Sequence, residues 1–367
     1  MKVLGIIDSF KGSITSKELG EILKEELSKK KILCDYIPLS DGGEGFLEML
    51  ESFDKKLKRI YVETFDPLLR KINTYYLVDK EKKKAYLEYA KSSGVGLLQV
   101  SEYNPYQTSS YEFGIIIKDA LNRGYYDLTI GIGGSITNDG GSGIIEALGG
   151  RFYDKSGNLL TYINNEKLNL IENIEINLYK NINIRIVSDV KNLILGSSGS
   201  TYVFAIQKGA KQEDLPYLEK NMENYVQKVE ETLQMRFRDI EGSGAAGGVG
   251  FALLALFNAQ VIKGINYFFE KINFEEIISK YDYIITGEGK IDQTSLYGKV
   301  VFAILKRVPK GKVIVICGDN ELANEYFSEY QTKVYKIVGN LTTLENSLKE
   351  PKKYLKKLIK LITFPKN

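Results

Sequence analysis

The stretch Gly131-Ile-Gly-Gly-Ser-Ile-Thr-Asn-Asp-Gly-Gly-Ser-Gly143 carries the most chemistry per residue in this chain. Glycines let backbone amides approach an anion closely, and a following helix start adds partial positive charge. Asn138 and Asp139 supply the oxygens that a hard cation takes. An apolar strand candidate, Leu128–Ile132, precedes the loop, and a helix candidate, Ile144–Leu148, follows it. Three other segments repeat this figure of a short strand followed by acids or lysine among Gly and Ser. They are Asp8-Ser-Phe-Lys-Gly-Ser13, Ser40-Asp-Gly-Gly-Glu-Gly45 and Thr286-Gly-Glu-Gly-Lys-Ile-Asp-Gln293. In open parallel α/β sheets, ligands bind at the carboxyl ends of strands, where such loops gather.

Composition narrows the chemistry. There is no histidine among the 367 residues. Imidazole general bases, Ser-His-Asp hydrolysis and His-ligated zinc are therefore excluded. The two cysteines, Cys34 and Cys317, lie far apart inside apolar runs and read as buried thiols of a reducing cytosol. A net charge of +3, from 50 basic against 47 acidic residues, gives no reason to expect a nucleic-acid partner. No signal peptide and no run long enough to span a bilayer is visible, so the expected location is cytoplasmic. What remains is a kit of carboxylates, lysines, hydroxyls and backbone amides. Phosphoryl transfer needs positioning and charge neutralisation more than a special nucleophile, and this kit suits it.

The elements that must hold these loops alternate at both ends of the chain. Val3–Ile7 and Ile32–Leu39 read as strands, with helices at Thr15–Lys30 and Gly45–Phe53. The alternation resumes with strands Tyr283–Thr286, Lys312–Cys317 and Lys333–Val338, and helices Gly298–Arg307 and Glu321–Glu329. A basic amphipathic helix over 350–364 closes the chain and should cover a domain edge. Between them lie strands Arg59–Thr64, Ile72–Val78, Lys84–Glu88, Ile184–Val187 and Tyr202–Ile206, and helices Tyr111–Leu121 and Gln212–Gln234. Gly242–Gly250 should open another helix. The expected fold is α/β: a Rossmann/flavodoxin-like parallel-sheet domain from residues 1–60 and 281–367, with a second α/β domain, 61–280, inserted and a cleft between them. Gly242, Gly244 and Gly247 fit a dinucleotide fingerprint, but the charged segment before them is no buried strand, and no Walker A spacing occurs.

The four loops, in order, resemble the type I glycerate kinase family. So do Ser188-Asp-Val-Lys-Asn192, Gln207-Lys-Gly-Ala210, Gly242-Ser-Gly-Ala-Ala-Gly-Gly248 and Tyr297-Gly-Lys299. The resemblance spans the chain and implies an ATP- and Mg²⁺-dependent kinase acting on D-glycerate. The 2-hydroxyl is the expected acceptor, giving 2-phosphoglycerate. Where the family has a Thr-rich stretch ending Gly-Thr-Gly, this chain has Tyr111-Glu112-Phe113-Gly114, which leaves open another small hydroxy acid as acceptor. A glycerate 3-kinase and a non-catalytic metabolite-binding protein also stay open, as does assembly as a homodimer.

The roles expected on this basis are as follows. Asp189 is the first candidate for general base, with Asp8, Lys11 and Asp41 as further catalytic residues. Ser13, Gly42, Gly43, Glu44, Glu288 and Asp292 would bind the acceptor; Ser13 or Thr15 could instead cap a helix. Gly133, Gly134, Ser135, Asn138, Lys208 and Lys299 would hold the nucleotide, aided by Lys290, and Asp139 would hold Mg²⁺ or cap the helix after the loop.

Overall fold

A computed structural model describes residues 1–364 except 11, 12, 41 and 298. The chain divides into two compact units: Met1–Asp41, Glu48–Phe53 and Ile265–Asn367 form one, and Gly42–Leu47 with Asp54–Gly264 form the other. Residues 265–280, which the sequence pattern assigns to the insertion, cluster with the first unit, as the helices Gly264–Ile272 and Phe274–Ile278.

The first unit is built on five parallel strands in the order Lys333–Lys336, Val313–Asn320, Tyr283–Ile291, Lys2–Ile7, Leu33–Tyr36. Parallel sheets are covered on both faces, so their strands run continuously apolar. Val313-Ile-Val-Ile-Cys317 is such a run, buried throughout. Helix Ser16–Lys29 starts where Thr15, not Ser13, provides the cap. The Thr15 side chain accepts from the Glu18 amide while the Glu18 carboxylate accepts from the Thr15 amide at 3.1 Å, a capping box that satisfies two orphan donors. Ser13 instead donates its hydroxyl to the Phe10 carbonyl. The C-terminal helix Pro351–Leu361 buries Tyr354, Leu355, Leu358 and Ile359 against this unit's core, and Lys30 Nζ closes its end by donating to the Ile359, Lys360 and Ile362 carbonyls. Its basic residues pair with acids of the neighbouring helix, Lys352 with Glu18 and Lys356 with Glu25. Cys317 is buried, while Cys34 is half-buried; burial pushes both thiols up to about 12, so neither is a ready thiolate.

The second unit carries a six-stranded mixed sheet in the order Gln260–Ile262, Asn183–Val187, Asp127–Gly131, Lys84–Glu88, Lys71–Asp79, Lys58–Phe65. The first four are parallel and the last two antiparallel to their neighbours. A separate three-stranded sheet, Leu159–Leu160, Arg151–Tyr153 and Asn173–Glu175, is not foreshadowed by the sequence pattern. Helices Tyr111–Asn122, Leu215–Leu233 and Ala245–Phe257 share one core with the large sheet.

One expected strand is a helix. The strong β propensity of Tyr202-Val-Phe-Ala-Ile206 predicts an extended segment. The chain instead forms the helix Ser200–Phe204 and a 3₁₀ turn Ile206–Lys208. Thr201, Ala205 and Lys208 are buried while Tyr202, Val203 and Ile206 are exposed, a spacing of four and three that only a helix gives. Among the described residues no helix is long and apolar enough to cross a membrane.

Candidate active site

In the second unit, three parallel strands end level with one another. Glu88 pairs in register with Gly131, and Gly131 with Val187. The segment Gly42–Leu47 lies across these ends. The Gly133 amide donates to the Gly42 carbonyl at 3.0 Å. A Cβ on Gly133 would stand 2.6 Å from Gly43 Cα, and one on Gly131 would stand 2.6 Å from the Gly42 carbonyl oxygen, so this approach requires glycine on the strand side. Glu88, 1 % exposed, accepts from the amides of Gly45 and Leu47 at 3.2 and 3.0 Å and so fixes the start of helix Phe46–Phe53. Gly42 and Gly43 are buried, and Glu44 is exposed. Sequence reasoning missed Glu88; an acid closing an apolar strand was the available signal.

The central loop has an accessible tip and a sealed base. Gly133, Gly134 and Ser135 retain solvent exposure, while Ile136 through Ser142 are buried. Asp139 is fully buried, and its carboxylate accepts from the Ser110 amide and hydroxyl at 2.8 and 2.7 Å and from the amides of Gly141 and Gly143 at 3.2 and 3.3 Å. Burial pushes its carboxyl upward, and these donors oppose the shift. The alternative role expected of Asp139, at the start of the helix after the loop, is the one that its bonds to the Gly141 and Gly143 amides describe. Its oxygens are committed to the loop and to the start of helix Tyr111–Asn122, so Asp139 is an anchor. Among the described residues no group of three acids or cysteines is placed to cage a metal ion.

Lys208 is also turned inward. It is 2 % exposed, and its Nζ donates to the Thr137 carbonyl at 2.6 Å and lies 3.5 Å from Ser135 Oγ. Its amine therefore lies beneath the loop, next to the Ser135 hydroxyl at the tip. In its protonated form it acts on an anion at the tip, because the intervening medium screens weakly. Asn138 is fully buried with neither Oδ1 nor Nδ2 partnered, although its carbonyl accepts from Asn165 Nδ2 at 3.0 Å. A second Gly loop braces the first. Ala246, Gly247 and Gly248 are consecutive left-handed residues at the start of Ala245–Phe257, the Gly140 amide donates to the Gly247 carbonyl, and Ser135 Oγ donates to the Ala246 carbonyl. The helix expected to open at Gly242 becomes regular only after this kink, and the residues before it, 235–241, form no strand. That removes the structural context of a dinucleotide fingerprint.

Asp189 lies exposed just past strand Asn183–Val187, and its Oδ1 accepts from the Gly264 amide at 2.8 Å. This bond holds the carboxylate beside the end of the strand neighbouring Gly131. The Tyr111-Glu112-Phe113 departure is largely turned into the protein. Glu112 and Phe113 are fully buried, and the Tyr111 ring packs on Tyr162 at 5.6 Å.

In the first unit, Asp8 and Glu288 each lie one residue beyond the Ile7–Gly287 pair of adjacent strands. The Asp8 amide donates to the Gly287 carbonyl, and its Oδ1 accepts from the Ser9 amide. Glu288 is 7 % exposed. Asp292 accepts from the Thr294 amide and hydroxyl at 2.8 and 2.5 Å, contacts that hold its carboxyl below the usual range. Lys299 donates to Thr294 Oγ1 at 2.5 Å, which links it to the same turn. Lys290 pairs with Glu321 at 2.7 Å. Lys11 and Asp41 lie outside the described residues.

The buried Lys208 makes a testable pH dependence. Burial pulls its pKa from 10.5 down to about 7, against the pull of Asp139. In the unfolded chain the amine holds its proton up to about 10.4. Between these values the unfolded state binds more protons, so stability rises with pH across that window. Urea denaturation from pH 7 to 10 should show this rise, and Lys208→Met should flatten it. An equal slope in the variant contradicts the assignment.

An α/β sheet with glycine loops and acids gathered at strand ends defines a small-molecule phosphotransferase class of site. The profile of the Glycerate kinase family matches residues 3–364, and the chain belongs to that family. It is 33% identical over 366 residues to a glycerate kinase of Bacillus subtilis, covering 97% of this chain and 95% of that protein. It is 31% identical over 357 residues to the glycerate 2-kinase of Escherichia coli, covering 95% and 93%. A crystal structure assigned to glycerate kinase 2 of Salmonella typhimurium LT2 matches with a TM-score of 0.75 at 30% identity, covering 98% of this chain and 96% of that one.

Proposed function

We propose that this enzyme transfers the γ-phosphoryl group of ATP to the 2-hydroxyl of D-glycerate, giving 2-phosphoglycerate and ADP. The observation that carries the reading is the solvent-accessible Gly133-Gly134-Ser135 tip set over the buried Lys208 amine. Backbone amides at the tip, with the amine below in its protonated form, suit a polyphosphate. Family membership and the relative named glycerate 2-kinase support the donor, the acceptor and the hydroxyl chosen.

In this reading Asp189 orients the attacking hydroxyl and takes its proton as the O–P bond forms, while the bond to the leaving ADP breaks. Gly42, Gly43 and Glu44 border the acceptor beside the same strand ends. Asp8, Lys11 and Asp41 remain proposed catalytic residues, Ser13, Glu288 and Asp292 proposed acceptor contacts, and Lys299 a proposed nucleotide contact. Asn138, with an unpartnered buried amide, stores an unmet hydrogen-bonding demand of about 1–3 kcal/mol that loop adjustment on binding would relieve. Mg²⁺ enters as the counter-ion of the nucleotide phosphates. Such an ion takes one or two carboxylates plus phosphates, not a protein cage. The same reading includes a cytoplasmic enzyme and leaves assembly as a homodimer open.

A panel of small hydroxy acids tests the acceptor. ADP release, followed by a coupled assay, should be fastest with D-glycerate. A higher kcat/KM for another hydroxy acid reassigns the acceptor, and ATP binding without ADP release from any of them favours a non-catalytic binding protein.

A further inference from the structure

Glu112 is a fully buried acid that the proposed reaction does not use. It occupies the first turn of helix Tyr111–Asn122, where Thr64 Oγ1 donates to its carbonyl at 2.7 Å. Its side chain is held from one side: Ser93 Oγ donates to Oε1 at 2.7 Å, and Oε2 has no partner. Ser93 in turn reaches the central loop by two routes. Its carbonyl accepts from the Ile136 amide at 3.0 Å. Its amide also donates to the Tyr89 carbonyl at 2.9 Å, and the Tyr89 phenol lies 2.8 Å from Thr137 Oγ1. Thr137 is the residue whose carbonyl holds Lys208, and its Oγ1 lies 3.3 Å from Ser135 Oγ. A chain of short polar contacts therefore runs from Glu112 to the accessible tip of the loop, with every member before Ser135 buried.

We propose that Glu112 is a positioning residue that sets the conformation of the Gly133–Ser135 tip through Ser93, and thereby tunes nucleotide affinity. Burial favours the neutral acid, with Asp139 and Asp66 as the neighbouring acids that reinforce this. A neutral carboxyl in a dry network fixes its partners, because any loosened member leaves an unsatisfied buried group. The grip acts on residues 136 and 137, directly beside the phosphate-facing tip. It adds to the Ser110–Asp139 anchor, so the start of one helix holds the loop at two points.

The inference rests on the kinase reading for its effect on ATP, but not for its effect on the loop. Hydrogen exchange at the Ile136 amide reports the loop directly, whatever the substrate. Glu112→Ala should raise that exchange rate and raise KM for ATP by about tenfold while kcat changes little, as expected for loss of one buried polar contact. Glu112→Gln, which keeps an acceptor on Ser93 without charge, should restore both. Ser93→Ala provides a second route if Glu112→Ala does not fold, with the same direction in exchange and KM. Wild-type exchange at Ile136 in both alanine variants overturns the proposal. So does a Gln variant as impaired as the alanine. Altered exchange with no ATP turnover in any form, wild type included, leaves the positioning role standing and refutes the kinase reading instead.

Discussion

Asp189→Asn is expected to lower kcat by roughly 10²–10⁴-fold, the usual range for loss of a positioned proton acceptor. Asparagine keeps the oxygen that accepts from Gly264, so the 2.8 Å bond holding this side chain survives. Only the charge and the ability to take a proton are removed. Thermal stability should stay near wild type, and KM for ATP should move little, because Asp189 lies past strand Asn183–Val187 and not on the loop tip. Steady-state kinetics on the purified variant checks this. An unchanged kcat removes Asp189 as the base, and a raised KM with constant kcat makes it a binding residue only.

The second large effect is on the fold of the site. Gly247→Ala should cost on the order of 2–4 kcal/mol of stability, since it combines a steric clash with an unfavourable left-handed backbone. A Cβ at this position would stand 2.0 Å from the Thr137 carbonyl oxygen and 3.0 Å from Asn138 Cα, and φ is +68°. Neither neighbour yields easily. Thr137 is held by Lys208, and the Gly247 carbonyl is tied to the Gly140 amide. Gly96→Ala is the matched control, as nothing lies within 4 Å of its Cβ and its φ is ordinary. Urea denaturation of the two variants should separate them clearly. Equal stabilities would mean that the two glycine loops are not locked together as described.

The elements legible in the sequence are those in which local pattern and tertiary demand agree. The continuous apolar run ending at Cys317 could only be a strand covered on both faces, and it is. The strand, glycine loop and helix around 127–147 are found as read, because φ values of +75°, +67° and +74° at Gly134, Gly140 and Gly141 need glycine at those places. Residues 202–206 mislead because side-chain propensity points to a strand while the partners of Thr201, Ala205 and Lys208 dictate a helix. The site was legible as a set of loops but not in its depth. Asp139 and Lys208 look like ligands in sequence because acids and lysines are usually exposed. Which of them is buried depends on Ser110 and Thr137, which no spacing rule connects to them. Glu112 was visible only as a departure from pattern, and its partner Ser93 lies 19 residues away.

The central claim is that this chain phosphorylates D-glycerate on its 2-hydroxyl. ³¹P NMR of the purified protein with ATP, Mg²⁺ and D-glycerate tests it most directly. The account predicts loss of the ATP γ-phosphate signal with matching growth of the 2-phosphoglycerate resonance. A 3-phosphoglycerate resonance in its place would contradict the assigned hydroxyl, and unchanged ATP with folded protein would contradict the acceptor itself.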